Sequence, residues 1–138
     1  MDVAFGEYGV SELHGSEHTE RILEYHSTTG LDAHDDETSW CASFVGWTML
    51  KAGLASTGKA NARSYLDWGA LSAPQRGAVC VLWRGSPDSW MGHVGFVTEL
   101  DWDGMRVQLL GGNQRDSVST QWYPMARVLG YRWPLLET

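Results

Sequence analysis

Cysteine is scarce: Cys41 and Cys80 are the only two in the 138-residue chain. Two thiols do not make the disulfide framework of a small secreted scaffold, so a hydrophobic core must hold the fold. There is no internal repeat and no low-complexity linker, which leaves no sign of a tandem or solenoid design. No apolar run approaches the roughly 18 residues that a membrane helix needs, so no membrane insertion is expected. The N-terminus "MDVAFGEYGVSEL" has no basic segment ahead of an apolar stretch, so it does not read as a signal peptide, and synthesis in the cytoplasm is expected. Basic residues are few, 10 against 17 acids for a formal net charge of −7. That balance argues against nucleic acid or another polyphosphate as a partner.

What is present fits one globular unit. A chain of 138 residues with 43% hydrophobic residues is long enough for a single domain, 1–138, with a core of useful size. Eight tryptophans supply large apolar surfaces for that core or for a cleft. The charge is uneven. Asp2, Glu7, Glu12, Glu17, Glu20, Glu24, Asp32, Asp35, Asp36 and Glu37 stand against Arg21 alone in the first forty residues, ten acids to one base and so net −9. Residues 41–138 carry 7 acids and 9 bases, net +2. The first third therefore reads as helix faces with an acidic, solvated skin.

Helices come first and strands follow. "HTERILEYH" spaces Ile22, Leu23 and Tyr25 for one helix face, with Gly30 as a stop. In "WCASFVGWTMLKAG" (40–53) apolar residues lie nearly all round the helix, the mark of a buried central helix. Asp36, Thr38 or Ser39 can cap it, and Gly53 can end it in the left-handed conformation. A short helix at about "ARSYLDWG" comes next. Then "GAVCVLW" (77–83), "HVGFVTEL" (93–100), "MRVQLLG" (105–111), "SVSTQWY" (117–123) and "RVLGYRW" (127–133) read as five short strands, with a hairpin turn at "DWDG" (101–104). The expected class is α+β, an antiparallel sheet of about five strands packed on the buried helix.

Cys41 falls in the first turn of that helix. Free amides and the positive end of the helix dipole favour a thiolate there. A free thiol titrates near ~8.5, and a helix N-terminus with a partner imidazole lowers that value. Cys80, inside an apolar strand, reads as packing. Four histidines, His14, His18, His26 and His34, lie in the acidic third, and only His93 opens a strand. A strand end can aim an imidazole at a helix N-terminus. Gly95 would leave room beside the ring, and Gly92 would let the backbone come close. A third group should fix the imidazole tautomer. Asn113 ends the next strand, and Gly111 and Gly112 permit a bend that would turn it toward His93. Gln114 is a substitute for that role and also a candidate oxyanion donor.

"SWCASFVGW" on a helix, "GHVGFV" opening a strand and "LLGGNQ" closing the next resemble the papain-like peptidoglycan hydrolases of the CHAP type (cysteine, histidine-dependent amidohydrolase/peptidase) and NlpC type. The likeness runs from about Glu7 to Pro134. It implies a papain-like fold, with Cys41 as nucleophile, His93 as general base and acid, and Asn113 as polar orienter. Many CHAP-type domains carry a glutamate two residues before that asparagine, where this chain has Gly111. The implied reaction is cleavage of an amide bond in or next to the peptidoglycan stem peptide, without a cofactor or metal. Trp40, Tyr65, Trp83 and Trp90 are candidates for the cleft wall, with core packing the favoured reading for each. A monomer is expected. The implied settings are a phage lysin or an antibacterial effector, acting on the wall after lysis or delivery by a secretion machine; an effector would need an immunity protein as partner.

Two rivals stand beside this reading. "HGSEH" puts His14 and His18 at a zinc-like spacing, but its glutamate is misplaced for a zinc peptidase and its Gly15 and Ser16 weaken a helix. A papain-like module that binds wall peptide or a protein partner without cutting is the other. The complete Cys, His and Asn set speaks against it.

Overall fold

The computed structural model describes residues 1–10, 21, 22, 24, 25, 40–58, 62–88, 92–114 and 117–134, with the side chain of Asn113 left aside. Helix α1 spans Asp2–Gly6 and helix α2 spans Cys41–Lys51. Arg21, Ile22, Glu24 and Tyr25 are also helical, as the spacing of "HTERILEYH" requires. The short helix expected near residue 62 is a 3₁₀ helix, Ala62–Asp67. Six strands follow: β1 (Ala70–Leu71), β2 (Val79–Trp83), β3 (Gly92–Asp101), β4 (Arg106–Gln114), β5 (Ser117–Pro124) and β6 (Val128–Trp133). The class is α+β, with one antiparallel sheet in the order β1-β6-β2-β3-β4-β5. The described residues hold six strands where about five were expected. β1 has two residues, held by pairing with Arg132 and Trp133 of β6, and two residues show no alternation to read.

α2 packs on β3 and β4. Its first nine residues, Cys41 to Met49, are all buried, as expected of a helix that is apolar nearly all round. The helix stops where the sequence says. Gly53 takes φ +79, its N–H donates to Leu50 O, and Leu54 N–H donates to Met49 O at 2.8 Å. This Schellman closure satisfies carbonyls that a helix end leaves open. At the other end the N-cap is Trp40 and makes no side-chain cap bond. The capping candidates Asp36, Thr38 and Ser39 lie outside the described residues.

The sheet is buried on both faces. Val79, Val81, Val94, Phe96, Leu110 and Val118 join Phe44 and Val45 of α2 in one cluster. Ala78, Cys80, Leu82, Val97, Val107 and Leu109 form a second, as alternation along a strand dictates. Two residues of the acidic third are more than skin. Glu7 accepts a hydrogen bond from the Tyr25 hydroxyl at 2.8 Å and pairs with Arg21 at 3.1 Å. Glu24 accepts from Arg21 and from the Trp47 indole at 3.0 Å. The Arg21 hydrogen bond holds the Glu24 carboxyl below its ordinary range. The one base among the first forty residues thus ties α1, the residue 21–25 helix and α2 together. The described residues include no helix long and apolar enough to cross a membrane.

Gly112 sets the seat of α2. A Cβ there would lie 2.7 Å from the Trp40 ring and 2.8 Å from Phe44 Cβ. The bare backbone of β4 therefore accepts the first turn of α2. Gly112→Ala should cost about 1–3 kcal/mol, the usual range for overpacking, read as a lower urea midpoint at unchanged slope. Undiminished stability would mean that α2 does not rest on β4 at this point.

Candidate active site

Cys41 is the first residue of α2 and is 3% exposed. It sits at the positive end of the α2 dipole, which favours negative charge on sulfur. Trp40, just ahead, is fully buried and stacks on Tyr25 at 5.8 Å. It is a core residue that anchors the helix start, so the expectation that it lines the cleft is corrected. Tyr65 is also fully buried, edge-on to Trp68, and presents no surface to a substrate. Burial raises its hydroxyl, and the nearby charge of Cys41 adds to the rise. Trp83 is half-buried at the end of β2. Trp90 lies outside the described residues, as do His14 and His18.

His93 is the second residue of β3, opposite Leu82 of β2, and is 6% exposed. Gly92 does allow close approach: a Cβ there would meet Leu82 O at 2.9 Å. The room at Gly95 serves the neighbouring strand instead, since a Cβ there would meet Leu110 O and Leu109 Cβ.

The imidazole has a defined partner. His93 Nε2 lies 2.8 Å from Gln114 Oε1. The Gln114 amide nitrogen donates to Leu109 O at 3.1 Å and to Ser119 O at 2.6 Å. Carbonyls only accept, so these two bonds fix which end of the carboxamide is nitrogen. The oxygen must face His93, and Nε2 must carry the proton. Nδ1 is then the unprotonated nitrogen of the neutral ring. Both amide protons of Gln114 are spent, so the suggestion that Gln114 donates to an oxyanion is corrected. Its oxygen is the group hydrogen-bonded to the imidazole.

A β-bulge explains why residue 114 reaches the ring. β4 pairs Gly111 with Ser119 and Gln114 with Ser117, three steps on one strand against two on the other. One extra residue reverses the alternation, so Gln114 takes the face that an even count would give to residue 113. The two glycines do not end the strand in a bend; β4 runs through them. Gly111 makes the space. A Cβ at that position would lie 2.9 Å from Gln114 Oε1, so the carboxamide fills the room beside residue 111.

Tyr123, on β5, completes the neighbourhood. Its hydroxyl is 3.4 Å from His93 Nε2, and the two rings are 5.3 Å apart. Burial pushes this hydroxyl up to about 12. Arg127 pulls the value down, Cys41 pushes it up and Arg84 pulls it down in turn. Tyr123 thus touches His93 and lies within electrostatic reach of Cys41. Arg84, His93, Tyr123 and Arg127 line an open pocket of ≈ 200 Å³. The Trp83 carbonyl accepts from Arg127 Nε at 3.2 Å and Nη2 at 3.0 Å. Sequence reasoning missed Tyr123, Arg84 and Arg127. They come from the ends of β2 and β5 and the turn before β6, and no spacing links them.

A family model of the CHAP domain matches residues 33–113. The match includes Cys41 and His93 and ends one residue short of Gln114. No curated protein and no solved structure matches the chain.

Cys80 provides a control for any thiol chemistry. It is fully buried in β2, and burial pushes its thiol up to about 12 from an ordinary 9.0. In folded Cys41→Ala protein, Cys80 should resist alkylation at neutral pH and react only after denaturation, as read by intact mass. Between 9.0 and about 12 the unfolded thiol ionises while the folded one stays protonated. Its contribution to stability is therefore full below that window and lost as pH rises through it. Rapid labelling of native Cys80 would contradict this.

Proposed function

The chain belongs to the CHAP-domain family, which is associated with peptidoglycan hydrolysis, and on that premise we propose that it cleaves an amide bond in or next to the stem peptide by cysteine nucleophilic catalysis. Cys41 is the nucleophile, His93 the base and acid, and Gln114 the group that holds the imidazole. The observation that carries the reading is the 2.8 Å bond between Gln114 Oε1 and His93 Nε2. It fixes the ring tautomer that a cysteine mechanism needs, with a basic Nδ1.

In the first half-reaction Nδ1 takes the Cys41 proton and the sulfur attacks the amide carbonyl carbon. The C–S bond forms, and the Cys41 backbone N–H stabilises the oxyanion. The imidazolium then gives its Nδ1 proton to the amide nitrogen, the C–N bond breaks, and the amine departs. In the second half-reaction Nδ1 takes a proton from water, and the hydroxide attacks the thioester. The C–S bond breaks, the acid is released, and the sulfur recovers its proton from His93. Gln114 is neutral, so it orients the ring and adds little support to the imidazolium charge.

Three substitutions test this with purified sacculi as substrate and mass spectrometry of the released fragments. Cys41→Ala should abolish release and keep the fold. His93→Ala should lose about 10²–10⁴-fold, the usual share of acid–base catalysis. Gln114→Ala should lose less than His93→Ala, and Gln114→Glu should keep more activity than Gln114→Ala because a carboxylate accepts the same Nε2 proton. Asn113→Ala should cost little beside these. Full activity in Cys41→Ala would end the cysteine mechanism, and an Asn113→Ala loss larger than that of Gln114→Ala would return the orienting role to Asn113.

A further inference from the structure

The pocket beside His93 is more cationic than the rest of this acidic protein leads one to expect. Two guanidiniums, Arg84 and Arg127, share its lining with His93 and Tyr123. Neither pairs with a carboxylate among the described residues. Both charges reach the Tyr123 hydroxyl, so their fields overlap in one small space. Like charges facing one cavity without a counter-ion repel, and an anion there relieves the repulsion.

Arg127 is also built in. Its Nε and Nη2 donate to the Trp83 carbonyl, and its guanidinium lies 5.7 Å from the Trp83 ring and 5.6 Å from the Tyr123 ring. The side chain is therefore held before any ligand arrives, with Nη1 outside these two bonds. Arg84 is exposed and can swing onto whatever the pocket holds. A held cation at the wall and an exposed one beside it form a clamp for a small planar anion.

We propose that Arg84 and Arg127 bind a free carboxylate of the substrate peptide, next to the amide bond that His93 and Cys41 act on. The inference rests on the hydrolase reading and names a specificity determinant for it. His93 lines the same pocket, so the occupant must be continuous with the reacting amide. In a peptide, the anion within that reach is a carboxylate. Tyr123, whose hydroxyl stays protonated, offers that carboxylate a neutral donor. A primary carboxamide in the same place would carry no charge and would present N–H groups to donors.

The test uses stem-peptide fragments in which each carboxylate is in turn free or converted to the carboxamide. Two readouts are taken: kcat/KM with the intact enzyme, and calorimetric binding to the Cys41→Ala protein. One amidation should lower kcat/KM about tenfold to a hundredfold, the range for a hydrogen bond to a charged group. The effect should shrink in high salt. Arg84→Gln, a change at an exposed residue, should clearly reduce the ratio between free and amidated peptide, with Arg127 retaining the remainder. If every amidation is without effect, or if Arg84→Gln preserves the full ratio, the inference is overturned. If the enzyme cuts none of the peptides, binding to Cys41→Ala decides. Tighter binding of the free carboxylate, reduced in Arg84→Gln, supports the clamp and overturns the hydrolase reading instead. Equal binding of both forms overturns the clamp.

Discussion

The site depends on one carboxamide being fully committed. Gln114 gives both amide protons to backbone carbonyls and its oxygen to His93, so its orientation is set by three partners at once. A buried amide left with a free donor or acceptor would carry a desolvation penalty. The arrangement is therefore stable only as a whole. It requires β4 to bulge, residue 111 to lack a side chain, and β5 to stay in register so that Ser119 O lies under the amide. The imidazole inherits its tautomer from these backbone constraints.

The same segment of β4 also positions the thiol. Gly112 meets Trp40 and Phe44 at the start of α2, one residue after the space that houses the Gln114 carboxamide. One short stretch, "GGNQ", thus seats the helix that carries Cys41 and holds the ring of His93. Burial supports this from behind. Trp40, Phe44 and Trp47 surround Tyr25, whose hydroxyl is held by Glu7. Aromatic packing fixes the helix that presents the sulfur, and Trp40, a candidate for the cleft wall, is part of its mounting.

Cys80 and Cys41 show how environment separates two identical side chains. Cys80 sits mid-strand in the apolar cluster on the far side of the sheet and is held protonated by burial alone. Cys41 stands at the start of a helix whose dipole favours the opposite charge state.

Much of this was legible in the sequence. An all-round apolar run closed by Gly53 marked a buried helix, and short runs rich in Val, Leu and aromatics between turn residues marked five of the six described strands, because those patterns follow from burial along one element at a time. Cys41 and His93 could be singled out for the same local reason, a thiol at a helix start and an imidazole at a strand start. What the sequence could not decide was anything that depends on register between elements. A single extra residue in β4 brings Gln114 to the His93 ring, since one step reverses every side chain beyond it. The Arg84–Arg127 pocket was equally hidden, because β6 returns beside β2 and brings Arg127 to Trp83, 44 positions away. Local periodicity determined the elements and the place of Cys41 at a helix start. Only the pairing of strands decided which polar groups meet around His93, because hydrogen-bond register is a property of two chain segments and is written in neither alone.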